Sequence, residues 1–215
     1  MLFDLLTALL DSWSLWNEAA GDADTGQRWR REYLRLTYAA GGYRPYEALV
    51  VEAGRAHGIG AGAIEALIAR WDGLAPWPEA PGVVAEVARA VKVGVVTNCS
   101  DDLGHRAVMR VGVPFDVIVT AEAAGAYKPR PEPYRLALDT LGIPAERVLF
   151  VAGSRYDIPG AGGVGMPVWW HNRIHMDRGD LPAPLAEHDS LTPLLGDLIS
   201  GPTPSRVTRE DSAAS

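Results

Sequence analysis

The sequence is short of several things, and each shortage excludes a class of protein. There is one cysteine, Cys99, among 215 residues, so no intramolecular disulfide and no cysteine-based metal cluster can form. No stretch approaches the roughly 18 consecutive apolar residues that span a bilayer. No basic segment precedes an apolar run after Met1, so neither a signal peptide nor a membrane partner is expected. Positive charge is in deficit, with 20 Lys and Arg against 27 Asp and Glu and a net charge of −7. The densest basic stretch, Arg28 to Arg35, is broken by Trp29, Glu32, Tyr33 and Leu34, which argues against a nucleic-acid partner. His57, His105, His171, His175 and His188 lack metal-ligand spacing, so no metal site is expected from them. A cytoplasmic globular protein remains, and 47% hydrophobic residues suffice for a core domain with a small second one.

What is present alternates. Val83 to Val91 has apolar positions at helical spacing, and Val93-Gly94-Val95-Val96 is a short apolar run of the kind found in buried parallel strands. Residues 101–111 read as a helix, Val117 to Val119 as a strand and Pro133 to Leu141 as a helix. Val148 to Val151 and Val168 to Trp170 are further strands, with a glycine-containing loop and a short helix between them. Strands alternating with helices predict an α/β fold, a three-layer Rossmannoid core around a mainly parallel sheet. Residues 12–75 are rich in Ala, Leu, Glu, Arg and Trp. They predict two to four helices broken at Gly21 to Gly26, Gly41-Gly42 and Gly58 to Gly62. The expected division is a core of residues 1–11 and 76–200, a helical insertion over 12–75 and a disordered tail over 201–215.

In open parallel sheets, ligands bind beyond the carboxyl ends of the strands. Asp4 ends a first strand over Met1 to Leu5, and Thr97, Asn98 and Ser100 end the next. Lys128 follows the third sheet element, and Ser154 and Asp157 follow the strand over Val148 to Val151. Singly, each has a plain structural role as a cap, turn or surface residue. Together they bring a nucleophilic carboxylate, a cation that keeps it ionised, an amide and a second carboxylate to one rim.

Four segments carry a resemblance. Phe3-Asp4-Leu5-Leu6-Thr7-Ala8-Leu9-Leu10-Asp11, Val95 to Ser100, Tyr127-Lys128-Pro129 with Pro133-Tyr134, and Gly153 to Asp157 resemble the four motifs of the haloacid dehalogenase superfamily. The resemblance covers roughly residues 1 to 200. It implies that 12–75 is a cap closing over the cleft, with Asp4 as covalent nucleophile. Phosphatases of the superfamily carry an acid/base Asp where this chain has Leu6, and an acidic magnesium ligand where it has Gly153. The 2-haloacid dehalogenases lack that Asp and use no metal, and a departing halide needs no proton.

That group is the nearest resemblance. Trp29-Arg30 is similar to its segment for binding carboxylate or halide, Lys128 and Tyr134 to its lysine and tyrosine, and Asn98 to its asparagine. Leu74 to Trp77 is similar to its cap-to-core return. The resemblance implies Asp4, Lys128, Ser154 and Asp157 as catalytic residues, and Arg30, Asn98, Thr97, Leu6, Tyr134 and Trp77 around substrate or halide. The group's Gly-Thr pair is replaced by Thr7-Ala8, which implies loss of a threonine hydroxyl beside the nucleophile.

The expected activity is cofactor-free hydrolytic dehalogenation of a short 2-haloalkanoic acid, a small organic acid being the partner. Members are often dimers, so a homodimer stays open. A Mg²⁺-dependent phosphatase or phosphonate-type hydrolase, or a non-catalytic acid-binding member, are the alternatives. Trp13, Trp16 and Trp29 are read as packing within the insertion, and Cys99 as a buried filler.

Overall fold

A computed structural model describes residues 1–200; the tail expected to be disordered lies outside the described residues. The first strand, β1, is only Leu2–Phe3. The chain then enters four helices, α1 (Ser12–Ala20), α2 (Ala23–Ala39), α3 (Tyr46–Ala56) and α4 (Ala61–Ala69). It continues through α5 (Ala80–Ala88), β2 (Gly94–Thr97), α6 (Asp101–Val111), β3 (Val117–Thr120), α7 (Ala121–Ala124) and α8 (Pro131–Leu141). The last elements are β4 (Phe150–Ala152), α9 (Asp157–Gly162), β5 (Val168–His171), β6 (Ala186–His188) and α10 (Leu194–Ser200).

The strands form one six-stranded sheet ordered β3-β2-β1-β4-β5-β6, every pair parallel. Leu2 lies between Gly94 and Phe150, so β1 occupies the middle despite its length. Both its residues are fully buried. Alternate residues face opposite sides: Phe3, Val95, Val151 and Trp169 join one apolar cluster, and Leu2, Val96, Phe150 and Trp170 the other. A strand buried on both faces loses the polar alternation of an exposed one, which is why these segments read as continuous apolar runs. Strand order reverses at β1, and the crevice at such a switch point opens between the carboxyl ends of β1 and β4.

The inserted helices enclose their own aromatic core. Trp16 meets Trp29 edge-on at 4.8 Å between ring centres, Tyr33 meets Tyr46 at 5.0 Å, and Tyr46 meets Trp71 at 5.7 Å. Trp16 and Trp29 therefore pack the insertion, as the sequence suggests, and the Trp29 indole donates to the Val50 carbonyl at 3.0 Å. Gly26 and Gly62 are not breaks but lie inside α2 and α4. At Gly26 a Cβ would stand 2.6 Å from Asn17 Cα, so glycine is there to let α1 and α2 touch. Where the chain leaves and re-enters the core, Leu10 and Pro76 form an antiparallel bridge. Asp11 N–H donates to the Ala75 carbonyl at 2.8 Å and Trp77 N–H to that of Leu9 at 2.9 Å.

Candidate active site

Asp4 follows β1 at the switch point and is almost wholly buried. Its Oδ1 accepts from Lys128 Nζ at 2.7 Å. Its Oδ2 accepts three bonds, from Thr7 N–H at 3.0 Å, Thr7 Oγ1 at 2.6 Å and Ala8 N–H at 3.1 Å. The expected loss of a threonine hydroxyl is thus overturned: Thr7, one position earlier, supplies it. Burial alone would raise the Asp4 pKa, but the Lys128 charge and the bonds from Lys128 and Thr7 outweigh burial and hold it below the ordinary carboxylate value.

Lys128 Nζ also reaches Asp157 Oδ1 at 3.1 Å, so one buried ammonium joins two buried carboxylates. Burial opposes its charge, but Asp157 and Asp4 together raise its pKa above that of a free lysine. Asp157 moves opposite to Asp4. Burial and the neighbouring Asp4 charge push its pKa up against the pull of Lys128 and Tyr134. Hydrogen bonding accounts for the asymmetry. Asp157 Oδ1 also accepts from Tyr134 Oη at 2.7 Å, but Oδ2 is buried without a partner among the described residues, whereas Asp4 Oδ2 has three.

These groups open on a cavity of about 60 Å³ whose lining includes Asp4, Leu6, Arg30, Asn98, Lys128, Ser154 and Asp157. Arg30 comes from α2 of the insertion, is 4% exposed, and has an Nη1 without a hydrogen-bond partner among the described residues. Its guanidinium stacks on the Trp13 ring at 3.7 Å. Trp13 therefore belongs to the cavity wall and not to the packing of the insertion. Its ring can share the desolvation of a buried cation, a role that its spacing from Trp16 did not signal. Asn98 is turned toward the backbone of Lys128: Oδ1 accepts its N–H at 2.7 Å and Nδ2 donates to its carbonyl at 3.0 Å. Its main effect is to fix the lysine loop.

Three residues expected around the substrate do not line this cavity. Thr97 is fully buried, with its hydroxyl 3.6 Å from Cys99 Sγ. Tyr134 lies behind Asp157 and positions it. Trp77 stands at the return crossing, donating to the Thr7 carbonyl at 3.0 Å with Arg173 over its ring. Cys99 is buried, and burial pushes its thiol up to about 12, which keeps it protonated and inert. Buried His171 bonds the Ala8 carbonyl through Nδ1 at 2.8 Å and so supports the loop that serves Asp4.

The chain and its fold have counterparts among known proteins. A family described as haloacid dehalogenase-like hydrolase matches residues 8–165. The (S)-2-haloacid dehalogenase H-109 of Pseudomonas putida is 29% identical over 191 residues, covering 80% of this chain and 85% of that protein. A phosphoglycolate phosphatase of Rhodospirillum rubrum is 30% identical over 179 residues, covering 73% and 72%. Against two other curated dehalogenases the chain spans about half their length, 46% and 49%. Among solved structures, the L-2-haloacid dehalogenase RSc1362 superposes with a TM-score of 0.83 at 25% identity, covering 93% of this chain and 97% of that one.

Proposed function

The chain belongs to the haloacid dehalogenase-like hydrolases, and from that premise we propose that it hydrolyses short 2-haloalkanoic acids through an ester on Asp4, without a cofactor. The observation that carries this reading is the state of Asp4: an ionised carboxylate with one oxygen held by three donors and the other by Lys128 alone. Oδ1 is the less encumbered nucleophile. The substrate carboxylate sits against Arg30, whose Nη1 is otherwise unpartnered. Oδ1 attacks the halogen-bearing carbon, a C–O bond forms, and the halide leaves with its electron pair toward Arg30 and the remaining N–H of Asn98.

Hydrolysis uses the other half of the site. Water attacks the Asp4 carbonyl carbon and gives a proton to Asp157, whose raised pKa suits a general base and whose Oδ2 is unpartnered. Charge then develops on Oδ2, where Thr7 N–H, Thr7 Oγ1 and Ala8 N–H already point, an oxyanion hole assembled before the reaction. The acyl C–O bond breaks, the alkoxide takes the proton back, and the new carboxyl proton of Asp4 leaves to solvent. The carbon is inverted once, in the first step. Size supports a small substrate: one water needs about 10–15 Å³ of such space, so a cavity of about 60 Å³ takes an acid of two or three carbons.

The phosphatase relative gives a second reading, a magnesium-dependent phosphatase or phosphonate-type hydrolase. The residues present do not fit the ion. Lys128 Nζ already bridges both carboxylates. Gly153 brings no ligand, and a Cβ there would stand 2.3 Å from Ala8 N and Thr7 Oγ1. Leu6 cannot protonate a departing alcohol.

The test is halide release from a panel of 2-haloacids with EDTA present. Release that survives EDTA, vanishes in Asp4→Asn and falls at least about 100-fold in Arg30→Ala is expected. Silence on haloacids with turnover of phosphate esters in Mg²⁺ would sink the reading. Haloacid binding without any turnover would favour the non-catalytic one.

A further inference from the structure

A second cavity of about 720 Å³ lies outside the first. The two share a wall: Trp13, Leu34, Tyr38, Tyr156 and Met176 line both. Trp13, Leu34 and Tyr38 come from α1 and α2 of the insertion, while Tyr156 and Met176 come from core loops. The wall is thus a seam between the two parts, closed where the rings of Tyr38 and Tyr156 meet at 4.7 Å between centres.

The outer cavity is cationic in a protein whose net charge is −7. Arg31, Arg35 and Arg155 line it, against Asp177. Glu32 neutralises Arg35 through bonds of 2.9 and 2.6 Å. The other two have no carboxylate partner among the described residues. Arg31 bonds only the neutral Gln27 side chain, at 3.1 Å. Arg155 donates to the Asp177 main-chain carbonyl at 2.8 Å and to Tyr156 Oη at 2.9 Å. Arg155 thereby grips one half of the seam. Arg31 directly follows Arg30 on α2, so consecutive arginines serve the outer and inner cavities.

We propose that the outer cavity is a docking site for small organic carboxylates, which bind at Arg31 and Arg155 and pass to Arg30 when the Tyr38–Tyr156 contact parts. The site rests on the dehalogenase reading for the identity of its ligand. Its chemistry is that of two guanidinium groups without a carboxylate partner among the described residues, in a half-enclosed aromatic chamber, where charge attraction raises the local anion concentration and the rate of capture.

The test uses Asp4→Asn, which cannot form the ester, so that binding is read apart from turnover. The association rate of 2-chloropropionate is followed by stopped-flow tryptophan fluorescence, to which Trp13 contributes. Adding Arg31→Gln or Arg155→Gln should lower that rate about threefold to tenfold and flatten its dependence on ionic strength. Adding Arg89→Gln, which removes the same charge from a distant exposed pair, should leave the rate unchanged. No detectable binding, equal rates in all variants, or an equal fall with Arg89→Gln would overturn the docking site. Halide release by the unmodified protein is read separately. Its absence alongside the expected rate changes would overturn the dehalogenase reading and leave the docking site standing.

Discussion

At the scale of single residues, the proposed mechanism divides labour between two carboxylates that share one lysine. Asp4 stays ionised because its burial is outweighed, and Asp157 is a better base because its burial is not. This sets the pH dependence. With Asp4 depressed and Asp157 raised, the first group lost on acidification is Asp157. The acid limb of kcat should therefore lie above the ordinary Asp value, and Asp4 should still be charged there. Lys128, raised above a free lysine, stays protonated through the alkaline side. A pH–rate profile of halide release checks this; an acid limb below the ordinary Asp value would contradict the assignment of Asp157 as base.

Thr7 gives a second prediction. Thr7→Val removes one of three donors to Asp4 Oδ2 and should lower kcat about 100-fold. The loss should fall on ester hydrolysis, so the ester accumulates and is seen in the intact mass of the protein. The role of Thr7 was hidden in the sequence. Comparing motifs position by position shows a hydroxyl missing at Ala8, and only the turn after β1 shows that the Thr7 hydroxyl reaches Asp4 Oδ2.

At the scale of elements, the loop after β1 and the loop after β4 are pressed together, and Gly153 is the contact. Its Cβ position is taken by the backbone and side chain of Thr7 and by Ala8 N. Gly153→Ala should cost about 2 kcal/mol, as overpacking does, read by urea denaturation. Halide release should fall with it, because the residues displaced are those that bond Asp4.

Several elements were legible because their pattern is local. The helix expected over residues 101–111 is α6, Asp101–Val111. The strands that place Asp4 and Asn98 at their ends, and those that Lys128 and Asp157 follow through a loop, show as short apolar runs. Other elements were not legible. β6 was missed because Ala186–His188 is a three-residue edge strand with Glu187 exposed, which shows no apolar run. β1 was read over five residues and has two, since Asp4 already turns away to meet Lys128. The glycines at 26 and 62 look like breaks in one dimension, and a contact between helices, at Gly26, is a fact of three.

At the scale of the molecule, function depends on how the helical insertion meets the core. Side chains tie them, those near the site including Tyr33, whose Oη donates to the Asn98 carbonyl at 3.1 Å, Ser100, whose Oγ donates to Glu47 at 2.7 Å, and Tyr127, whose Oη donates to the Arg44 carbonyl at 2.7 Å. Removing two of them with Tyr33→Phe and Ser100→Ala should cost about 1 kcal/mol each. Hydrogen exchange of the α2 amides should quicken, and KM should rise more than kcat falls, since Arg30 is carried by that helix. Unchanged exchange would show that the seam does not depend on these ties. The paired crossing at Leu10 and Pro76 has a different consequence. Because the chain departs and comes back through neighbouring positions, the sheet registers nothing of the sixty-odd residues between. A foreign helical segment of any length whose ends lie side by side could be spliced at that joint. A segment exchanged there would bring a different chamber and a different group in place of Arg30, while Asp4, Lys128 and Asp157 stay where the core holds them.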